Sequence, residues 1–340
     1  VNASRDKVVA FGPGRVNLIG EHTDYNGGLA MPFAIERGVT VTATPSERWV
    51  VDAMDFHEHD EFSKAKRVRG WKNFHRGMIA ELQAAGYELR PAHLVMTGNV
   101  PRGSGLSSSA ALEAALALAL LAFSGHTPPE DLRDLAKLCS RVENDWVGAE
   151  TGLLDQFASL LSAEAHVLRI DFTSLEVERF PLDLGDWQLV TKDSGATHNL
   201  AASGYNQRRA ECRAACEALG IDSLRDAGDL GALDGVLLKR ARHVVSENAR
   251  VDATAAALQA HDLERVGELL DASHASLRDD YAASVPEVER TVAQLKAAGA
   301  AGARMVGGGF GGSVLALLPP GVARPAGSLA VAPNPPARLL

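Results

Sequence analysis

The chain has 340 residues, is 46% hydrophobic and 23% charged, and sets 34 Lys and Arg against 43 Asp and Glu, a formal net charge of −9 at pH 7. That length suits about two domains able to bury a core without staples. The acidic balance excludes a surface built to coat nucleic acid, because neutralising phosphates takes clustered cations. A small phosphate compound stays open as a ligand, since it needs only one local pocket.

In chain order, the first distinctive stretch is Gly14-Arg15-Val16-Asn17-Leu18-Ile19-Gly20-Glu21-His22-Thr23-Asp24-Tyr25-Asn26-Gly27-Gly28. Glu21, His22 and Asp24 bring acceptors and a switchable donor into a turn-rich segment, the mixture a ring of sugar hydroxyls requires. Arg15 adds a permanent positive charge suited to phosphate oxygens. A solvated loop is the plainer reading, but four glycines enforce a defined path and favour a ligand site. Strands are predicted over 39–44 and 49–54. His57 and His59, two apart among acids, read as a solvated loop rather than a metal site. A helix over 71–85 and a strand over 93–97 follow.

The strand leads into Pro101-Arg102-Gly103-Ser104-Gly105-Leu106-Ser107-Ser108-Ser109-Ala110-Ala111, which opens an Ala/Leu helix over 108–123. Gly103 and Gly105 permit close backbone approach to a ligand. Ser107, Ser108 and Ser109 put hydroxyl and N–H donors at a helix start, where the dipole favours an anion. This is a phosphate cradle by its physics, without the Gly-Lys-Ser/Thr ending of Walker A. One capping serine would suffice for a helix start, and three exceed that need. The longest apolar run, 110–123, contains Glu113 and is shorter than the roughly 20 residues a membrane span takes. No basic segment followed by an apolar one opens the sequence, so no secretory signal and no membrane partner are expected, and a cytoplasmic location is.

A second helix is predicted over 129–144, strands over 167–170 and 188–191, and then mostly helix over 205–219, 236–259, 262–277 and 286–298. A strand over 314–318 follows the glycine cluster Met305-Val306-Gly307-Gly308-Gly309-Phe310-Gly311-Gly312. Helices grouped rather than alternating with strands make the class α+β. The division falls near 184–187, giving residues 1–184 and 185–340. Cys139, Cys212 and Cys216 are too few for a disulfide framework. Cys212 and Cys216 share a helix face, and buried thiols are a better reading there than a metal site. From about residue 319 the text holds six of the fifteen prolines and no periodicity, and a loose tail is expected.

These motifs together resemble the GHMP kinases. The string 14–28 is similar to the galactokinase signature, the serine loop 101–111 to the second motif of the superfamily, and 305–312 to the third, in the expected order over roughly residues 7–318. The resemblance implies a two-domain architecture, N-terminal of the ribosomal-protein-S5-domain-2 type and C-terminal ferredoxin-like, with the site in the cleft. It implies ATP-dependent phosphorylation of α-D-galactose at O1, the entry to galactose catabolism, with ATP as co-substrate and Mg²⁺ as cofactor. Galactose and Mg-ATP are the expected partners of a monomer.

By the same match, Asp155 in Gly152-Leu153-Leu154-Asp155-Gln156 is the candidate base and Arg15 stands beside the transferring phosphoryl group. Glu21, His22, Thr23, Asp24, Gly152 and Tyr205 match the sugar-binding positions. Gly103, Ser104, Gly105, Leu106, Ser107, Ser108 and Ser109 match the ATP loop. Ser109 and Glu143 match the magnesium ligands, hard oxygen groups whose octahedron waters and phosphates complete. Without the resemblance, Asp155 reads as a helix N-terminal acid, Glu143 as a surface residue and Tyr205 as a buried helix ring. An aspartate is a weak base for a sugar hydroxyl, so Asp155 is expected to orient O1 and take its proton late.

The sequence departs from relatives at Thr151, where many carry Cys, and after residue 318, where a further helix and strand are usual. Losing that strand would leave a sheet edge open. Two rivals stay open: a kinase for a related sugar such as N-acetylgalactosamine, and a galactose sensor acting through a protein partner. The presence of Arg15, Asp155, Ser109 and Glu143 together favours an enzyme.

Overall fold

The structure, a computed structural model, describes residues 6–101, 103–196 and 201–340. It begins with β1 (Val8–Asn17), a short β2 (Leu29–Ala30) and a long β3 (Pro32–Pro45). The hairpin of β4 (Trp49–Ala53) and β5 (Glu58–Phe62) precedes α1 (Lys72–Ala84) and β6 (Ala92–Gly98). Three helices follow: α2 (Ser108–Phe123), α3 (Leu132–Arg141) and α4 (Leu154–Leu161). The strands β7 (His166–Asp171), β8 (Val177–Pro181) and β9 (Gln188–Asp193) lead to the helical half, α5 (Ala201–Leu219), α6 (Gly235–Gln259), α7 (Leu263–Asp279) and α8 (Pro286–Ala297). Last come β10 (Gly302–Met305), β11 (Ser313–Leu318), β12 (Ser328–Val331) and β13 (Arg338–Leu339).

The first sheet has the order β13-β1-β3-β6-β4-β5, antiparallel except between β4 and β6. The helix α2 is apolar almost all round and is buried as such a helix must be. It packs on β1 and β3 on one side and on α1, α3 and α4 on the other. Gly12 makes that approach possible, because a Cβ there would lie 2.0 Å from the Ala111 carbonyl oxygen. The β1–β3 register shifts between Pro13 and Arg15. Such a bulge turns the next side chain off the pleat, and here that side chain is Arg15, only 6% exposed.

A second sheet, β10-β11-β9-β12, is packed by α7 and α8, with α6 against α7 and α5 against α6, and a third, β2-β7-β8, lies beside the first motif. The class is the expected α+β. The helix α2 has the predicted limits, and most other elements fall within a few residues of theirs. Three expectations need correction.

The text after residue 318 is not loose. Its strand β12 pairs with β9 from Ser328↔Lys192 to Val331↔Leu189, covering the edge that would otherwise stand open. Beyond it the Asn334 N–H donates to the Ala34 carbonyl at 2.9 Å and that of Ala337 to Ser159 at 2.8 Å, and β13 pairs with β1. The prolines here do not prevent pairing, because edge strands and extended links tolerate a missing N–H. The helix predicted to 144 ends at Arg141 and widens into a π-helical turn over Val142–Val147, stopped by Gly148 at φ 87°. His59 lies on β5, not in a loop, its Nδ1 2.7 Å from Asp52. All three cysteines are free and buried. No helix among the described residues is long and apolar enough to cross a membrane.

Candidate active site

The first motif leaves β1 and turns through residues 20–28 before β2. Gly20 and Gly27 have φ of 95° and 63°, and His22, which has no such licence, sits at 62°. A non-glycine residue in that region is held there by its surroundings. The Thr23 hydroxyl lies 2.9 Å from the Gly20 carbonyl and 2.7 Å from that of Leu29. Thr23 is fully buried and does not line the adjacent cavity; its side chain braces the turn. Glu21 is also committed: its Oε1 lies 2.9 Å from Arg304 Nη2 and accepts from the Gly307 N–H at 2.7 Å. The first motif is thereby tied to the third.

Glu21 and His22 border a polar cavity of about 280 Å³ that also receives Arg15, Asp24, Gly152, Asp155 and Tyr205. Burial and the nearby charge of Asp155 push the Asp24 carboxyl up to about 6. Gly152 presses on that carboxyl, and a Cβ there would lie 1.9 Å from an Asp24 oxygen. Only glycine fits. Tyr205 packs its ring 5.4 Å from that of His22. Burial first, then neighbouring His243 and Arg208, hold His22 down to about 3, so its ring is neutral.

At one end of this cavity Arg15 and Asp155 form an ion pair, with Nε 2.8 Å and Nη2 2.7 Å from Oδ1. Burial opposes the Arg15 charge, but Asp155, Glu21 and Asp24 together outweigh it and the pKa stands raised. Arg15 Nη1 also donates to the Gly105 carbonyl, and the Arg15 N–H to that of Leu106 at 3.0 Å. Ser107, in the left-handed region at φ 58°, donates its hydroxyl to Asp155 Oδ2 at 2.6 Å. Asp155 lies in the first turn of α4, where the dipole favours its charge. The β1 bulge, the phosphate loop and α4 thus converge on one carboxylate.

Within the loop, Gly103 and Gly105 take positive φ, 67° and 72°. Ser104 and Leu106 brace rather than reach outward. The Ser104 hydroxyl donates to Pro101 at 2.7 Å, and the Leu106 side chain is buried in the core. Arg102 lies outside the described residues. Ser108 and Ser109 face a second cavity of about 490 Å³, walled by Val39, Trp71, Phe74 and Met96 from β3, α1 and β6. No sequence motif marks those four residues.

Glu143 is brought inward by the π-helical turn and is 6% exposed. Its Oε2 accepts from Gln156 Nε2 at 2.7 Å and Thr151 Oγ1 at 3.1 Å, and its carboxylate is hydrogen-bonded to Ser109 as well. These donors are neutral. Burial and Asp155 push the Glu143 pKa up, the state of a buried acid without a counter-cation. Ser109 and Glu143 therefore fit a hard divalent cation, with few protein ligands and room for water and phosphate oxygens. Gln156 also reaches buried Glu113, at 3.0 Å. Sequence reasoning missed Gln156 and Arg304, although each adjoins a motif.

The chain was compared with known proteins. Residues 2–45 match the galactokinase galactose-binding signature, 73–163 the GHMP kinases N terminal domain and 254–328 the GHMP kinases C terminal. A galactokinase of Thermotoga petrophila is 41% identical over 308 residues, 90% of this chain and 87% of the relative. One from Haemophilus influenzae is 42% identical over 336 residues, 92% of this chain and 85% of the relative. The crystal structure of Lactococcus lactis galactokinase complexed with galactose superposes with a TM-score of 0.92 at 34% identity, covering 99% of this chain and 96% of that one.

Proposed function

We infer the working of the two cavities from one premise: the chain belongs to the galactokinase family of the GHMP kinases, and it transfers the γ-phosphoryl group of ATP to O1 of α-D-galactose, giving galactose 1-phosphate and ADP. Galactose takes the polar cavity and the nucleoside of ATP the apolar one. The observation that carries this reading is the Arg15–Asp155–Ser107 joint, which borders the polar cavity while the next two serines line the apolar one.

Asp155 accepts from Arg15 through Oδ1 and from Ser107 through Oδ2, which fixes the plane of the carboxylate. An ionised carboxylate has about four acceptor positions, and with Arg15 Nε and Nη2 on Oδ1 and Ser107 on Oδ2, one on Oδ2 remains for the sugar hydroxyl. Asp155 orients O1 for in-line attack and takes its proton late, because a loose transition state places little early demand on a base. Arg15 stabilises charge on the transferring group. The α2 N-terminus and the loop N–H groups hold the neighbouring phosphates. Mg²⁺, held by Ser109 and Glu143, supplies charge neutralisation on the phosphate oxygens when bound. Glu21 and Thr23 shape the sugar loop, and His22, Asp24 and Tyr205 present polar atoms and a ring face to the sugar. A division at 184/185, a monomeric state and a cytoplasmic location complete the reading. Three cysteines without a disulfide suit a reducing compartment.

Phosphorus NMR of the product formed from galactose and Mg-ATP tests the regiochemistry. A single signal coupled to the anomeric proton is expected. A phosphate on any other carbon overturns the placement of O1 at Asp155.

A further inference from the structure

A line of hydrogen bonds runs inward from the sugar loop and is not needed to build the loop itself. His22 Nδ1 lies 2.8 Å from the Tyr25 hydroxyl, that hydroxyl 2.7 Å from the Tyr281 hydroxyl, and the latter 3.1 Å from Cys212 Sγ. Cys212, on α5, and Tyr281, just after α7, are buried, so the line crosses from the N-terminal motif into the helical half. Its rings pack at a tilt as well as being bonded, with the centroids of His22 4.6 Å and His243 4.4 Å from that of Tyr281. At the other end, His22 Nε2 is buried and lacks a hydrogen-bond partner among the described residues. A buried polar atom left unpaired is costly, and this one belongs to a residue held at φ 62° on the border of the polar cavity.

We propose that Tyr25 and Tyr281 are positioning residues that hold His22 as its Nε2–H tautomer, so that the ring offers galactose a hydrogen-bond donor. The inference rests on the placement of the sugar in the polar cavity. Each hydroxyl in the line can donate one hydrogen, so the direction at one end fixes the whole. Nε2 is the unpaired ring nitrogen of a residue that borders the polar cavity, so a hydrogen held there is the one the ring can give to a sugar hydroxyl, which leaves Nδ1 as acceptor. Tyr25 donates to Nδ1, Tyr281 donates to Tyr25, and the Cys212 thiol donates to Tyr281. Burial pushes the Cys212 thiol up to about 11, so it keeps the hydrogen this order requires. The neutral state of the His22 ring is what gives its tautomer a choice to be settled.

Nitrogen-15 NMR of the histidine rings in the sugar-free protein, with His22 assigned by difference from His22→Gln, tests the tautomer directly. Protonated Nε2 and bare Nδ1 are expected; the opposite tautomer overturns the proposal. Tyr25→Phe removes the donor to Nδ1 and should raise the galactose KM about tenfold, the loss of one buried hydrogen bond, with the ATP KM unchanged. In a His22→Gln background the same change should add nothing. Tyr281→Phe, one bond further away, should raise the galactose KM by about two- to threefold. A line that merely braces the fold would lower Tm in both variants and leave the tautomer and the galactose KM alone, and that result also overturns the proposal. Should Tyr25→Phe fail to fold, the native spectrum and Tyr281→Phe decide. If the native chain turned over no galactose, the functional reading would fall, while the sugar-free spectrum would still decide the tautomer.

Discussion

The two cavities on either side of the phosphate loop are built by different rules. The polar one takes Arg15, Glu21, His22 and Asp24 from a single run of sequence and adds Gly152, Asp155 and Tyr205 from two others. The apolar one gathers Val39, Trp71, Phe74 and Met96 from separate strands and the start of a helix and, among the described residues, touches the motifs only at Ser108 and Ser109. Recognising hydroxyls and moving a proton demand particular atoms at set positions, and so leave a residue pattern. Enclosing a flat apolar group demands only surface of the right shape, which many residues can provide. One half of the active site is therefore written as a motif and the other as packing.

That contrast can be broken most forcefully at the joint between the cavities. Arg15→Ala and Asp155→Ala should each lower kcat by roughly 10³-fold or more, by analogy with the loss of a transition-state charge donor, while equilibrium ATP binding persists. Near-native turnover in either would separate the two cavities functionally. Glu143→Gln should raise the Mg²⁺ concentration for half-maximal activity by about 10–100-fold with little change in galactose KM, checked by titrating Mg²⁺ at fixed ATP. Phe74→Ala should raise the ATP KM by about tenfold through lost apolar contact and leave the galactose KM alone. An equal rise in both would mean that the apolar cavity does not hold the nucleotide separately.

The smallest effect is a titration. With its carboxyl pushed up to about 6, Asp24 loses its acceptor charge as pH falls through that value, and the galactose KM should rise there. Asp24→Asn should flatten the profile. The folded state binds this proton more tightly than an unfolded Asp does, so native stability falls as pH rises from about 4 to about 6. Removing the charge should then raise Tm at pH 7 by about 2–4 °C, the usual exchange of stability for a functional group. A Tm that drops instead would place Asp24 among the groups that hold the loop together.

Sequence reading reached furthest where local rules decide the outcome. The limits of α2 follow from its serine start and unbroken Ala/Leu run. Arg15, Asp155 and the serine loop could be named, but not the bulge that aims Arg15 or the hydroxyl of Ser107 on Asp155. The end of α3 is not legible because a π-helical turn, here the one that brings Glu143 inward, has no propensity of its own. The tail was misjudged because composition says nothing about an edge waiting to be paired. β12 has only four residues, and β9 rather than its own sequence makes it a strand. Arg304, Tyr281 and Cys212 were not legible at all as site residues, since each acts by meeting a group hundreds or scores of positions away.

The central claim is that the polar cavity selects the acceptor. ADP release with Mg-ATP, measured against galactose, N-acetylgalactosamine, glucose, mevalonate and homoserine with a no-acceptor control, tests it most directly. Turnover with galactose well above every other acceptor is the predicted result. Comparable turnover with mevalonate or homoserine, or none with galactose, would contradict the account.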